Sequence, residues 1–234
     1  MFTVSRWFLE KACLPRQVTR WLDVTVDEQA ARPYHHGDLR RALVTAAVEL
    51  AREGGPGAIV LREVARRVGV SATAAYRHFE SLPDLMDEAA RESREHLAEA
   101  MRAEQARCLP TGDPREDALN NLRAVGRAYV HFAVDEPGLF ATAFSGRKHA
   151  VGPDLEIVDS EGPRLILEAA LDRLVGVGAI APADRAAAAT AAWAFVHGLS
   201  ELLRGPLAGV PPQWRDAAIE SAMDLFQRGI LVHD

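Results

Sequence analysis

Leu61, Val64, Ala65 and Val68 lie at i, i+3, i+4 and i+7, and Gly69-Val70-Ser71 follows directly. That spacing is one face of a two-turn helix. Glycine suits the left-handed residue that ends a helix, and serine suits the cap of the next one. The following stretch, Ala72 to Phe79, sets Ala75 and Phe79 four apart on one face. Two short helices across a three-residue turn make a helix-turn-helix. Small Ala65 lets the two helices approach, and Val70, Ala75 and Phe79 fix the angle between them.

The rest of the chain is also helical. From His36, the residues Leu39, Leu43, Ala46, Ala47 and Leu50 hold one face until Gly54-Gly55-Pro56-Gly57. Ser81, with Asp84 three residues on, starts a helix that reaches about Arg107. Asp113-Pro114 with Glu116 starts another, which stops before Pro137. A short segment spans Leu139 to Phe144, and residues 146–160 read as loop. Leu167, Ala170, Leu171 and Leu174 mark the next helix. Pro182 opens an alanine-rich one, and Pro211-Pro212 opens the last. No stretch alternates like a half-buried strand. The expected fold is all-α, with about nine helices. A three-helix helix-turn-helix domain occupies residues 33–82, and a larger helical bundle occupies 83–234. Residues 1–32 lack a helical period and read as an unordered extension; the other reading is a DNA-contacting arm carrying Arg16, Arg20 and Arg32.

Composition narrows the function. A net charge of -6 and a pI near 5.8 give no global basic field. Residues 33–82 nonetheless hold seven arginines against five acids, a local +2 that leaves -8 for the remainder. Any affinity for nucleic acid therefore depends on where the arginines stand. Two cysteines, Cys13 and Cys108, are too few for a disulfide framework, which points to the reducing cytoplasm. No apolar run approaches the roughly 18 residues of a membrane span. No HExxH, GxSxG, CxxC or GK[ST] pattern is present, so neither an enzyme nor a cofactor is expected. Glu92 and His96 have the spacing of a metal pair, but equally that of a solvated helix face, and no metal is expected.

The outward face of the helix after Ser71 presents Thr73 and Arg77, with Tyr76 and His78 at its edge. Short side chains let a backbone enter the major groove, and a few donors then read it. Tyr76 can donate to a phosphate, Arg77 to a phosphate or a guanine edge, and His78 to a phosphate unless it packs inward. The competing reading is a helical hairpin with a solvated arginine face.

"HHGDLRRALVTAAVELAREGG" and "LREVARRVGVSATAAYRHFESLPDL" together resemble the DNA-binding domain of TetR-family transcriptional regulators, over roughly His36 to Glu88. "WAFVHGLSEL", Trp193 to Leu202, is similar to the Trp…His-Gly signature of one C-terminal subgroup of that family. The resemblance implies that Arg62 and Tyr76 hold phosphates, and that Ser71, Ala72, Thr73, Ala74, Arg77 and His78 line the groove side. Two positions depart from the pattern. Val60 stands where a capping Ser or Thr is frequent, and Leu82 where a lysine is frequent. Arg40 and His36 are the candidates to replace the missing phosphate contact.

The resemblance also implies a C-terminal part that binds a small effector and forms a homodimer, in a repressor released from an operator on double-stranded DNA. The final two helices fit, being apolar on more than one face, through Val196, Leu199 and Leu203 and through Ala218, Ile219, Met223 and Leu225. Candidate effector-lining residues are Tyr129, Phe132, Phe140, Phe144, Trp193 and His197, each of which is otherwise an ordinary core residue. Their character suggests an apolar or aromatic effector. The rival from another class is a helical effector-binding or scaffold protein that no longer binds DNA.

Overall fold

Asp113 accepts a hydrogen bond from the Arg115 amide at 2.9 Å, Ser71 one from Ala74 at 3.1 Å, and Ser81 one from Asp84. These caps start three of the helices at the positions their side chains dictate. The Ser81 hydroxyl also donates to the Asp84 carboxylate at 2.8 Å, a variant of the capping box in which the two side chains bond each other. In a computed structural model, residues 36–145 and 162–231 are described, with side chains from Leu39 onward. Among them there are nine α-helices and no strand: α1 His36–Gly54, α2 Leu61–Val68, α3 Ala72–Tyr76, α4 Leu82–Gln105, α5 Pro114–Asp135, α6 Pro137–Ala143, α7 Pro163–Gly176, α8 Arg185–Arg204 and α9 Pro212–Ile230. Residues 1–32 and the loop expected at 146–160 lie outside the described residues.

α1, α2 and α3 form the helix-turn-helix unit. Gly69 closes α2 at φ 77°, the left-handed conformation that a side chain would strain. Its turn carries the Val70 amide back to the Ala65 carbonyl at 3.0 Å. Ala65, Ala75 and Phe79 are all buried, Phe79 to 2% exposure, and they join Leu43, Ala47 and Leu50 of α1 in one core.

α3 is shorter than the sequence suggests. It ends at Tyr76, and the amides of His78 and Phe79 both fold back to the Ala75 carbonyl. The turn brings Phe79 into the core, so Arg77 and His78 stand on the exit of α3 rather than on its last helical turn.

α4 crosses from this unit to the larger bundle, packing on α1 at one end and on α5, α6 and α7 along its length. α5 lies at the centre of the bundle, against α4, α6, α7, α8 and α9. Ala124, Val125, Ala128, Tyr129, Val130 and Ala133 bury nearly all of its circumference, as expected of a helix enclosed by others. The seven-residue α6 touches both halves: it packs against α1 as well as against α4 and α5.

Candidate nucleic-acid interface and effector site

The N-terminus of α2 follows Val60, which is extended, 50% exposed and offers no side-chain cap. The first amides of α2 therefore have no side-chain acceptor, and Arg62 stands exposed beside them. Across the turn, Ser71, Ala72, Thr73, Tyr76 and Arg77 are exposed, Tyr76 to 56%. Ala74 is half-buried. His78 is half-buried and makes a contact of its own. The candidate DNA surface therefore comprises the two helix starts and the exit of α3.

Charge is distributed unevenly around that surface. Arg66 is bound to Glu63 through two nitrogens, at 2.6 and 2.9 Å, and Arg67 to Glu53 at 2.9 Å. These hydrogen bonds hold the Glu63 and Glu53 carboxyls below their ordinary range. Arg52 meets Glu136 at 3.0 Å. Arg40 meets Glu88 of α4 at 2.8 Å, lowering that carboxyl in turn, and its guanidinium sits 4.7 Å over the Phe79 ring. Arg40 thus ties α1 to α4. Arg62 and Arg77 have no carboxylate partner among the described residues. The His36 side chain lies outside the described set.

In the bundle, Tyr129 of α5, Phe140 of α6, Phe144 just beyond it, and Trp193 and His197 of α8 form one cluster. Tyr129 meets Phe140 edge-on at 5.5 Å. His197 stacks on Phe140 at 5.5 Å and meets Phe144 at 5.0 Å and Trp193 at 6.3 Å. Tyr129 and Phe140 are buried, while Phe144, Trp193 and His197 are half-buried. Phe132 is buried in the same core, but none of the cluster's ring pairs includes it.

The cluster has a polar centre. Tyr129 Oη and His197 Nδ1 lie 2.9 Å apart. Burial pushes the Tyr129 phenol well above its ordinary range, so it keeps its proton. Burial likewise pulls His197 below its ordinary value, with Arg204 adding to the effect and Glu201 opposing it. Both shifts favour the neutral phenol and the neutral imidazole, and the tautomer of His197 sets which of the two donates in the bond between them.

Two residues of this region escaped sequence reasoning. Gly138 falls between Pro137 and the short segment expected from Leu139, and nothing near it in the sequence marks a contact. In the fold it lets the first turn of α6 rest on the last carbonyls of α1: a β-carbon would lie 2.1 Å from the Ala51 oxygen and 2.8 Å from that of Arg52. Arg204 reads as a basic residue closing α8, yet its guanidinium lies 5.0 Å from the Phe140 ring centre and donates to the Pro137 carbonyl at 3.1 Å. The available signal was its register, seven residues after His197 and hence on the same helix face.

A separate cavity of about 240 Å³ lies where the end of α4 meets α5 and α9, lined by Glu104, Arg107, Cys108, Asn120, Arg123 and Glu220 among others. Its charges answer one another, Glu104 binding Arg107 at 2.6 Å and Arg127 at 2.9 Å. His96 points to Glu99 at 3.5 Å. No helix among the described residues is long and apolar enough to cross a membrane.

A helix-turn-helix head on a larger helical bundle is the architecture of a bacterial transcriptional regulator. Residues 43–89 match the bacterial regulatory proteins of the tetR family, and residues 122–226 match the tetracyclin repressor-like C-terminal domain. The chain belongs to the TetR family of transcriptional regulators. Its helix-turn-helix is the DNA-binding module of that family.

No curated protein matches the chain significantly. Among solved structures, a protein of unknown function from Rhodococcus sp. RHA1 is 27% identical with a TM-score of 0.62, covering 86% of this chain and 100% of its own. A TetR-family regulator from Pectobacterium atrosepticum is 19% identical with a TM-score of 0.60, covering 84% and 96%. FadR from Bacillus subtilis, solved in complex with stearoyl-CoA, is 17% identical with a TM-score of 0.56, covering 82% and 99%. The latter two share the fold.

Proposed function

We propose that this protein is a cytoplasmic, homodimeric repressor that leaves its operator when a small apolar or aromatic molecule enters the cluster around Phe140. Residues 33–82 bind DNA, and residues 83–234 bind the effector and the second subunit. The observation that carries the reading is the division of labour among the arginines of the head. Arg66, Arg67 and Arg40 are held in ion pairs, whereas Arg62 and Arg77 are exposed, as are Thr73 and Tyr76, and have no carboxylate partner among the described residues. Arg62, Tyr76 and the first amides of α2 suit phosphates. Thr73, Arg77 and the small residues between them suit a groove.

Dimerisation is supported by two exposed apolar stripes. On α8, Ala187, Ala191, Ala194, Gly198 and Leu202 follow helical spacing, with small residues that permit close approach. On α9, Trp214 at 68%, Ala218 and Leu225 at 66% continue the surface. A two-fold axis through these helices pairs two heads on two half-sites.

The test is fluorescence anisotropy with duplex DNA from the gene's own promoter region, followed by titration with apolar and aromatic compounds. Acyl-CoA thioesters belong in that panel, because FadR is solved with one. Specific binding relieved by a member of the panel supports the reading. Absence of any preference for promoter DNA over random duplex sinks it and leaves a helical scaffold protein.

A further inference from the structure

The three nitrogens of Arg204 meet three different surroundings. Nη1 donates to Glu201 at 2.7 Å. Nη2 donates to the carbonyl of Pro137, the first residue of α6, at 3.1 Å. Nε is sealed from solvent and has no acceptor. A buried guanidinium N–H without a partner is costly, and one beside a candidate ligand site calls for an explanation.

Nε and Nη2 lie on one edge of a guanidinium, and that edge matches the two oxygens of a carboxylate. We propose that Arg204 is the anion-recognising residue of the effector site, and that the effector is an amphiphile whose carboxylate docks on Nε and Nη2 while its apolar or aromatic body packs on Phe140, Phe144 and Trp193. The proposal rests on the reading that the aromatic cluster receives the effector. Glu201 holds the remaining nitrogen and is exposed, so it keeps its contact without blocking the edge. His197 lies on the same face of α8, where burial favours its neutral form, so it adds no competing charge.

Binding at that edge is coupled to α6. A carboxylate taking Nη2 displaces the Pro137 carbonyl. Nε is sealed in this fold, so a carboxylate reaches it only when its cover moves, and we take that cover to be the first turn of α6, whose Pro137 carbonyl sits on the neighbouring Nη2. The ligand therefore binds the displaced state better, which is the condition for shifting an equilibrium. The other side of that turn lies on α1, through Gly138 against Ala51 and through Glu136 against Arg52. Lifting α6 breaks the backbone contact with the first helix of the DNA-binding head.

The experiment compares matched acids and amides, 1-naphthoate with 1-naphthamide and octanoate with octanamide. It uses full-length wild type, Arg204→Gln and Arg204→Lys, reading affinity by calorimetry and operator release by anisotropy. The expected result is an acid bound about tenfold tighter than its amide in wild type. That preference falls to about onefold in Arg204→Gln, with amide affinity unchanged, and is retained in part by Arg204→Lys. Equal binding of acid and amide by wild type overturns the role of Arg204 while leaving the effector site standing, and this comparison needs no variant to fold. An undiminished preference in Arg204→Gln overturns it equally. If neither acid nor amide binds, the proposal falls together with the reading of the cluster as the effector site.

Discussion

Gly138 and Ala51 meet backbone to backbone: a β-carbon on Gly138 would stand 2.1 Å from the Ala51 carbonyl oxygen. The contact joins α6, whose Phe140 lies in the aromatic cluster, to the C-terminal end of α1 in the DNA-binding head. No flexible side chain intervenes there, so a displacement of α6 has no cushion.

Gly138→Ala forces the two helices apart. The expected cost is about 1–3 kcal/mol of stability, typical of an overfilled contact. Operator affinity in the absence of any ligand should fall as well, because the substitution imitates a lifted α6. Urea denaturation and anisotropy measure the two effects. An unchanged denaturation midpoint would show that the contact is looser than described.

Arg62→Ala and Tyr76→Phe should weaken binding to all duplexes alike, and Arg62→Ala should reduce the salt slope by about 0.9 for its one phosphate. Arg77→Ala should cost about 1–3 kcal/mol and relax preference at one base pair, if that side chain reads a guanine. Arg66→Ala, whose guanidinium is already bound by Glu63, should change the slope far less. Wild-type binding by both the Arg62 and Arg77 variants would mean that the DNA surface lies elsewhere.

Stability should depend on pH through His197. Burial holds its folded pKa below the ordinary 6.5, so the unfolded chain takes up the proton first as the pH falls. The contribution is complete above 6.5 and declines as the pH drops from there toward the folded value. Urea midpoints at pH 7.5 and 5.5 for wild type and His197→Gln test this. The wild type should lose more than the variant, and equal losses would refute it.

Leu225→Asp places a charge on an apolar residue of α9 that is 66% exposed, so the fold of the single chain should survive. Sedimentation should then detect monomers. Operator affinity should drop by the avidity of two linked heads, on the order of 10²–10⁴-fold. A dimer of undiminished strength would move the subunit contact away from α9.

Much of the fold was legible because its signals are local. Ser71, Ser81 and Asp113 bond amides two or three residues away, and Gly69 reverses the chain within one turn. Ala75 and Phe79 are buried as their spacing requires. The end of α3 was not legible, because the turn after Tyr76 is set by Phe79 entering a core built with α1. The arginines of the head look alike as text. Arg40 finds Glu88 forty-eight residues on, and Arg52 finds Glu136 eighty-four residues on.

The sequence by itself determined the all-helical class, the helix-turn-helix, its capped starts and the family, since each depends on residue types within a few positions of one another. Only the tertiary structure decided which arginines of the head are held in ion pairs and which aromatics gather around Phe140. It also decided that Gly138 rests on the end of α1, and that Arg204 holds α6 with one nitrogen left unpaired. The physical reason is range. Capping and helical periodicity act over one or two turns, whereas ion pairing, ring packing and backbone approach are settled by whatever distant segment the core brings within a few ångströms.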